Sequence, residues 1–328
     1  MSHPKVAAFY LNPTFARLKA EKPLAMQRLT RSQIDDDRWN ALVAQHNAGL
    51  PYGYTWYLDA ATNGQWEAYM LDDYEAVFPV AFTSRPLRQG VTPPLVQQLC
   101  WYASREVLPT EVAALITQLR RRYHKLYLPL SHSTEPALWP HELQERTNLI
   151  LPLANTYDYL RAGYSRSLRK RINKAAKRLT CQIEALSVSQ LRAFYLDNTR
   201  HGDGIPAEVY TRIEAVLAAL LSRDMGHIYT ARDEQGELQA AGCFAVTPQR
   251  VINLFGASTR DSYGMHLLID RVIQDYAGQD KLLDFEGSEI PGVAQFFESF
   301  GAVLQPYYVY SWDRIPAWAR RLYASVRR

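Results

Sequence analysis

Apolar positions along this chain recur with two periods, and those periods divide it into short elements. In the second half, Thr147 to Leu153 reads as a strand, and Leu168, Ile172, Ala175 and Leu179 have helical spacing within Tyr164 to Arg178. Cys181 to Leu186 alternates as a strand does. Ser187 is placed to cap a helix reaching about Asn198. Pro206 suits the first turn of another helix, which carries Ile213, Val216, Leu217 and Leu220. Three β-type runs follow, His227 to Arg232, Leu238 to Val246 and Val251 to Ala257. The first two are joined by Asp233-Glu-Gln-Gly236, a hairpin signal. A helix over Tyr263 to Tyr276, a strand over Leu282 to Glu286, a helix over Ile290 to Phe300 ending at Gly301, and a strand over Val303 to Trp312 complete the half.

The first half repeats this order. Met26 to Leu29 reads as a strand, and Asp35 to Gln45 as a helix with acidic residues in its first turn. A short helix near Trp56 to Ala61 comes next. Trp66 to Leu71 and Ala76 to Phe82 form a strand pair, Leu95 to Tyr102 a third strand, Thr110 to Tyr123 a helix and Leu126 to Leu130 a strand. A pattern written twice implies a duplicated α/β unit. The expected domains are 1–146 and 147–328, with the active site in the second.

Composition narrows the class. The sequence is 47% hydrophobic and 21% charged, as globular chains are. Cys100, Cys181 and Cys243 are odd in number and widely spaced, which fits a reducing, cytoplasmic setting without disulfides. The apolar run Val6 to Leu11 stops at Asn12-Pro13, too short for a signal peptide, and Ala215 to Leu221 is far below a membrane span. The histidines show no metal-ligand spacing, His132 and His141 included, so no metal site is expected. The net charge of +4 is mild, but eight basic and no acidic residues lie between Arg161 and Arg178. That stripe suits a phosphate-bearing partner; a solvated helix face explains it too.

The segments Tyr164-Ser-Arg-Ser-Leu-Arg-Lys-Arg-Ile-Asn-Lys-Ala175, Leu283 to Ala302, Tyr54-Thr-Trp-Tyr-Leu-Asp59 and Val96-Gln-Gln-Leu99 resemble segments of the Fem family. These are bacterial aminoacyl-tRNA-dependent transferases that extend peptidoglycan cross-bridges, and their acetyltransferase-like relatives. The resemblance implies two tandem GNAT-like domains, each a mixed, mainly antiparallel sheet flanked by helices. It also implies transfer of an acyl or aminoacyl group from acyl-CoA or aminoacyl-tRNA to an amine, such as a cell-envelope precursor, with no tightly bound cofactor. The GNAT pyrophosphate motif R/Q-x-x-G-x-G/A is not met by Ser258-Thr-Arg-Asp-Ser-Tyr-Gly-Met265, so the donor stays open between the two.

Several constellations carry candidate chemistry. Asp284-Phe-Glu-Gly-Ser288 places two carboxylates on one strand face, where mutual repulsion and burial raise a pKa. Glu286 is the candidate base, with Asn253 and Ser288 also catalytic. An ion pair to an arginine is the structural alternative for the carboxylates. Gly256, Ser258, Arg260, Tyr263 and Gly264 surround a helix N-terminus suited to a donor phosphate; a capped turn built on Asp261 or Ser262 reads as well. Tyr164, Arg166, Arg169 and Lys170 are candidates for phosphate or acceptor contact. His201-Gly-Asp203 is either a mobile acceptor loop or a plain connection. Arg314 to Arg328 is either a basic amphipathic contact for the inner membrane face or a helix packed on the domain. tRNA is a candidate partner and DNA is not expected. A non-catalytic nucleic-acid-binding protein and a degenerate transferase scaffold are the rival classes.

Overall fold

The structure, a computed structural model, describes residues 26–46, 48–84, 87–139, 142–198, 205–287 and 291–320. In chain order the elements are β1 (Met26–Thr30), α1 (Asp36–Gln45), α2 (Thr55–Thr62), β2 (Trp66–Leu71), β3 (Ala76–Thr83), β4 (Gln89–Gly90), β5 (Tyr102–Ala103), α3 (Pro109–Arg122), β6 (Lys125–Leu130), β7 (Gln144–Arg146), β8 (Leu149–Pro152), α4 (Tyr157–Ala162), α5 (Arg166–Ala175), β9 (Leu179–Ile183), α6 (Val188–Asn198), α7 (Ala207–Leu221), β10 (Gly226–Asp233), β11 (Leu238–Val246), β12 (Arg250–Ser258), α8 (Gly264–Tyr276), β13 (Leu282–Asp284), α9 (Pro291–Glu298), β14 (Val303–Leu304) and β15 (Tyr307–Asp313).

Two mixed, mainly antiparallel sheets result. One runs β1-β2-β3-β4-β6-β15-β7, with β5 on β3; the other runs β9-β10-β11-β12-β13-β8-β14. Position by position the two orders match, including a parallel fourth-to-fifth pair, β4 with β6 and β12 with β13. The sixth place is exchanged. β8 leaves the end of the first run to close the second sheet, and β15 leaves the end of the second run to close the first.

The expected strand over Val303 to Trp312 is therefore two strands in different sheets. Pro306, which has no N–H to donate, sits in the break, and Gln305 N bonds Asn148 O at 2.9 Å. Thus the two crossings, at 147–148 and 305–306, touch. The expected third strand at Leu95 to Tyr102 is mostly irregular. Leu95 is left-handed (φ 56°), and Leu99 makes one bridge to Leu130.

Asp35 caps α1 by accepting from the N–H groups of Asp37 and Arg38. Leu168, Ile172 and Ala175 of α5 are buried as their spacing requires. One apolar core joins the two halves, with Trp39, Tyr52, Tyr57 and Leu58 packing in the same cluster as Val216, Leu217, Leu220 and Ile252. Among the described residues no helix is long and apolar enough to cross a membrane, and no group of three or more His, Cys, Asp or Glu side chains is placed to hold a metal.

Candidate active site

β12 and β13 pair in parallel only from Arg250–Leu282 to Ile252–Asp284. Beyond that, β12 continues to Ser258 while β13 ends, so the carboxyl ends of the two strands part and leave a gap. A bulge opposite Cys243 and Phe244 places an extra residue, Leu254, in β12 next to Asn253. Asn253 is half-buried and makes no side-chain hydrogen bond among the described residues. Paired opposite Phe244, it lies on the sheet face of Phe244 and Val251, whereas Glu286 meets Tyr52 on the other face, so the structure does not bring these two candidates together.

Glu286 follows the end of β13. Its backbone is left-handed (φ 55°), a conformation that costs a non-glycine residue about 1 kcal/mol or more. Two contacts hold it there. Its N–H donates to Asp284 Oδ1 at 3.0 Å, and Tyr52, from the first half, donates its hydroxyl to the Glu286 carboxylate. Burial pushes the Glu286 carboxyl up to about 8; the Tyr52 hydroxyl opposes the shift and the Asp284 charge adds to it. Burial and the Glu286 charge push Tyr52 well above the usual phenol range, so it remains a donor.

Asp284 is fully buried and serves as the keystone. Arg250 Nη1 donates to its Oδ2 at 2.7 Å, and Asn148 Nδ2 to its Oδ1 at 3.1 Å. Arg250 in turn binds Ala48 O (2.6 Å), Gln305 Oε1 (2.9 Å) and His132 Nε2 (3.2 Å). Burial, then the charges of Arg250 and His46, lowers His132 to about 4, so it is neutral against the guanidinium. Gln97 reaches Asn148 Oδ1 at 3.4 Å. Gly287 lies on the crossing itself: a Cβ there would sit 2.1 Å from Thr147 O. The two carboxylates thus take different roles. Asp284 makes the structural ion pair, and Glu286 carries no ion pair among the described residues.

The loop after β12 forms a second part of the site. Ser258, Arg260 and Tyr263 line a cavity of about 340 Å³ together with His266 and Phe296. The basic helix α5 reaches it through Arg171 and Lys174, whose charged groups lie 5.7 and 5.3 Å from the centre of the Tyr263 ring. Arg166 and Lys170 point outward instead, and Arg169 is spent on Ala162 O at 3.0 Å. Gly256 and Gly264 are explained by packing: a Cβ would come within 2.8 Å of Ala241 O and 2.7 Å of Ala240 Cβ respectively. The N-cap position of α8 is Tyr263, in left-handed backbone and without a side-chain cap bond, and Ser262 just before it accepts from Gly264 N at 3.0 Å.

Tyr164 does not line a cleft. It is buried edge-on against Phe300, with its hydroxyl toward the Asp270 carboxylate that Tyr157 binds. The candidates Ser288, His201, Asp203 and His141 lie outside the described residues. So does most of Arg314 to Arg328. Of that tail's described part, Ile315 and Ala319 are buried and Trp318 is exposed.

Tyr52, Arg250, Asn148 and Gln97 are members that the sequence reading missed, and Arg171 and Lys174 were seen only as part of the basic stripe. A signal existed for some of them. Tyr52 lies two residues before the Tyr54–Asp59 segment, Gln97 is inside Val96–Leu99, and Arg171 and Lys174 belong to the basic stripe.

No protein-family model and no curated protein match the sequence. Solved structures do. FemX aligns over 92% of this chain and 100% of its own, with TM-score 0.59 and 14% identity. A conserved protein from Bacteroides thetaiotaomicron aligns over 87% and 99% (TM-score 0.56, 11% identity). L-PGS from Bacillus licheniformis aligns over 89% and 96% (TM-score 0.53, 13% identity). The chain therefore has the Fem-like tandem fold that its sequence resembles. At such identities the likeness is one of fold.

Proposed function

We propose that this protein transfers an activated acyl or aminoacyl group to an amine, with Glu286 as the proton acceptor. The observation that carries the proposal is the Glu286 carboxyl. It is half-buried beside the parted ends of two strands, held in a left-handed backbone by Asp284 and Tyr52, and poised near neutrality at about 8. A general base works best with a pKa near the operating pH.

In this reading the donor's carbonyl lies in the gap between β12 and β13. The acceptor amine attacks that carbonyl carbon, and the C–N bond forms as electrons move onto oxygen. Glu286 takes the proton from the attacking nitrogen. Collapse breaks the donor's C–O or C–S bond, and the departing oxygen or sulfur takes up the proton that Glu286 had accepted, leaving as the alcohol or thiol. Arg260, Tyr263, Arg171 and Lys174 then hold the donor's phosphates at the mouth of the gap. Both a thioester of CoA and an ester of tRNA fit this arrangement. A cell-envelope amine is the acceptor class that the Fem-like fold favours.

The test uses both donors. Thermal unfolding with acetyl-CoA at about a hundred times its dissociation constant gains about 2.7 kcal/mol if CoA is bound. Filter binding of charged tRNA reports on the other donor. Glu286→Gln keeps donor binding and loses transfer. If neither donor binds, or if the Gln variant transfers at the wild-type rate, the proposal fails.

A further inference from the structure

A second concave site lies in the first half, built on different elements from the gap. Glu67, on β2, is buried to 2% side-chain exposure, and its carboxylate is saturated. Oε1 accepts from Arg122 Nε (2.6 Å), Tyr123 Oη (2.6 Å) and Tyr69 Oη (3.1 Å). Oε2 accepts from Arg88 Nη2 (2.7 Å) and Arg28 Nη1 (3.2 Å). Burial alone would push this carboxyl up, but the hydrogen bonds from Arg122 and Tyr123 and the charges of Arg88 and Arg122 outweigh it and hold it below its usual value. It therefore stays ionised.

Three guanidinium groups thus share one carboxylate, and the group carries two positive charges in excess. Each arginine has one N–H anchored on Glu67 and keeps the others. Arg88 is further fixed by stacking 3.5 Å from the Phe82 ring centre, and its enclosed Nε has no partner. All three line one concavity of about 840 Å³ and are a fifth to a third exposed. Arg31, on the same wall, is neutralised within the cavity by Asp59, which also lines it; its second partner, Asp36, is half exposed, lies outside the lining and brings one further negative charge beyond the rim.

Like charges held this close repel, and a mere structural ion pair would need one arginine. The carboxylate instead works as an anchor that presents forked donors in fixed directions. A ligand with two negative charges and several acceptor oxygens neutralises the surplus and uses the free N–H groups in pairs. A single carboxylate would leave one charge uncompensated. We propose that this concavity is a binding site for a phosphate-monoester dianion. The four residues are scattered over 28, 67, 88 and 122, so no local motif announces the site.

The experiment is calorimetric titration of the full chain with inorganic phosphate at low ionic strength, beside cosedimentation with phosphatidylcholine vesicles with and without phosphatidic acid. Wild-type protein shows saturable phosphate binding that matched chloride does not reproduce. Arg28→Gln and Arg122→Gln each weaken it about tenfold or more, while Arg223→Gln, outside the cavity, leaves it unchanged. Arg28 is the more exposed of the two and serves if Arg122→Gln fails to fold. Arg28-dependent vesicle binding would assign the phosphate to a lipid headgroup, and phosphate binding without it to a free monoester. Phosphate binding that both glutamine variants retain, or neither saturable phosphate binding nor Arg28-dependent vesicle binding, overturns the proposal.

Discussion

The raised carboxyl of Glu286 has a consequence that needs no knowledge of the substrate. A carboxyl at about 8 when folded and 4.5 when unfolded binds an extra proton in the native state throughout that window. Stability therefore falls as pH rises from 4.5 to 8, and is level on either side. The slope is about 1.4 kcal/mol per pH unit, which makes roughly 4 kcal/mol between pH 5 and 8, with about 5 kcal/mol as the upper bound over the full window.

Other groups titrate there too. His132 and His266, each lowered to about 4 by burial and a nearby arginine, push the opposite way. They are present in both proteins of the comparison with Glu286→Gln. Glutamine does not titrate and can still accept from Tyr52. The difference in unfolding free energy between wild type and variant isolates the one carboxyl. The assay is urea unfolding followed by tryptophan fluorescence at pH 5, 6, 7 and 8, with an unchanged m-value as the check on two-state behaviour. The variant gains on the wild type by about 1 kcal/mol or more at each step. A difference that stays flat within about 0.5 kcal/mol would show that water reaches the carboxyl, and the base assignment would lose its foundation.

Two further substitutions probe the supports of the site. Arg250→Met strands a fully buried Asp284 charge and costs about 3–5 kcal/mol, read as a fall in the urea midpoint; adding Asp284→Asn recovers part of it. Gly287→Ala sets a Cβ against Thr147 O at a left-handed position (φ 39°), adding about 1–3 kcal/mol of backbone strain before any clash. It lowers both the melting temperature and the Glu286-dependent transfer rate.

The periods of apolar residues made most helices and strands legible, because a half-buried element must alternate or recur. What they missed is instructive. β13 was expected to reach Glu286 but ends at Asp284, since Asp284 captures the Glu286 N–H and turns the chain left-handed. Leu95 to Tyr102 was expected to be a strand, but Gln97 and Gln98 are drawn into the network around Asn148 and His132. In both places a side-chain hydrogen bond, invisible to periodicity, overrides the local pattern. The donor-loop glycines were assigned to a ligand because phosphate loops and tight packing both call for glycine. Only the approach of Ala240 and Ala241 separates the two. The raised carboxyl of Glu286 was legible because two carboxylates at a strand end carry their own electrostatic conflict.

The exchanged strands explain why a site between two halves can be precise. Had each half kept its own closing strand, the halves could slide on an apolar face and the Tyr52–Glu286 contact would be loose. Here β8 and β15 tie each sheet to the other run of chain, so the halves cannot part without breaking strand ladders. The crossings meet where Gln305 N bonds Asn148 O, and Asn148 is the residue that holds Asp284. Arg250 then joins Asp284 to Ala48, in the first half, and to Gln305, at the second crossing. Each support of Glu286 therefore leads within two contacts to a strand crossing or to the first half. The position of Glu286 therefore depends on both copies of the duplicated unit, even though one of them carries the residue.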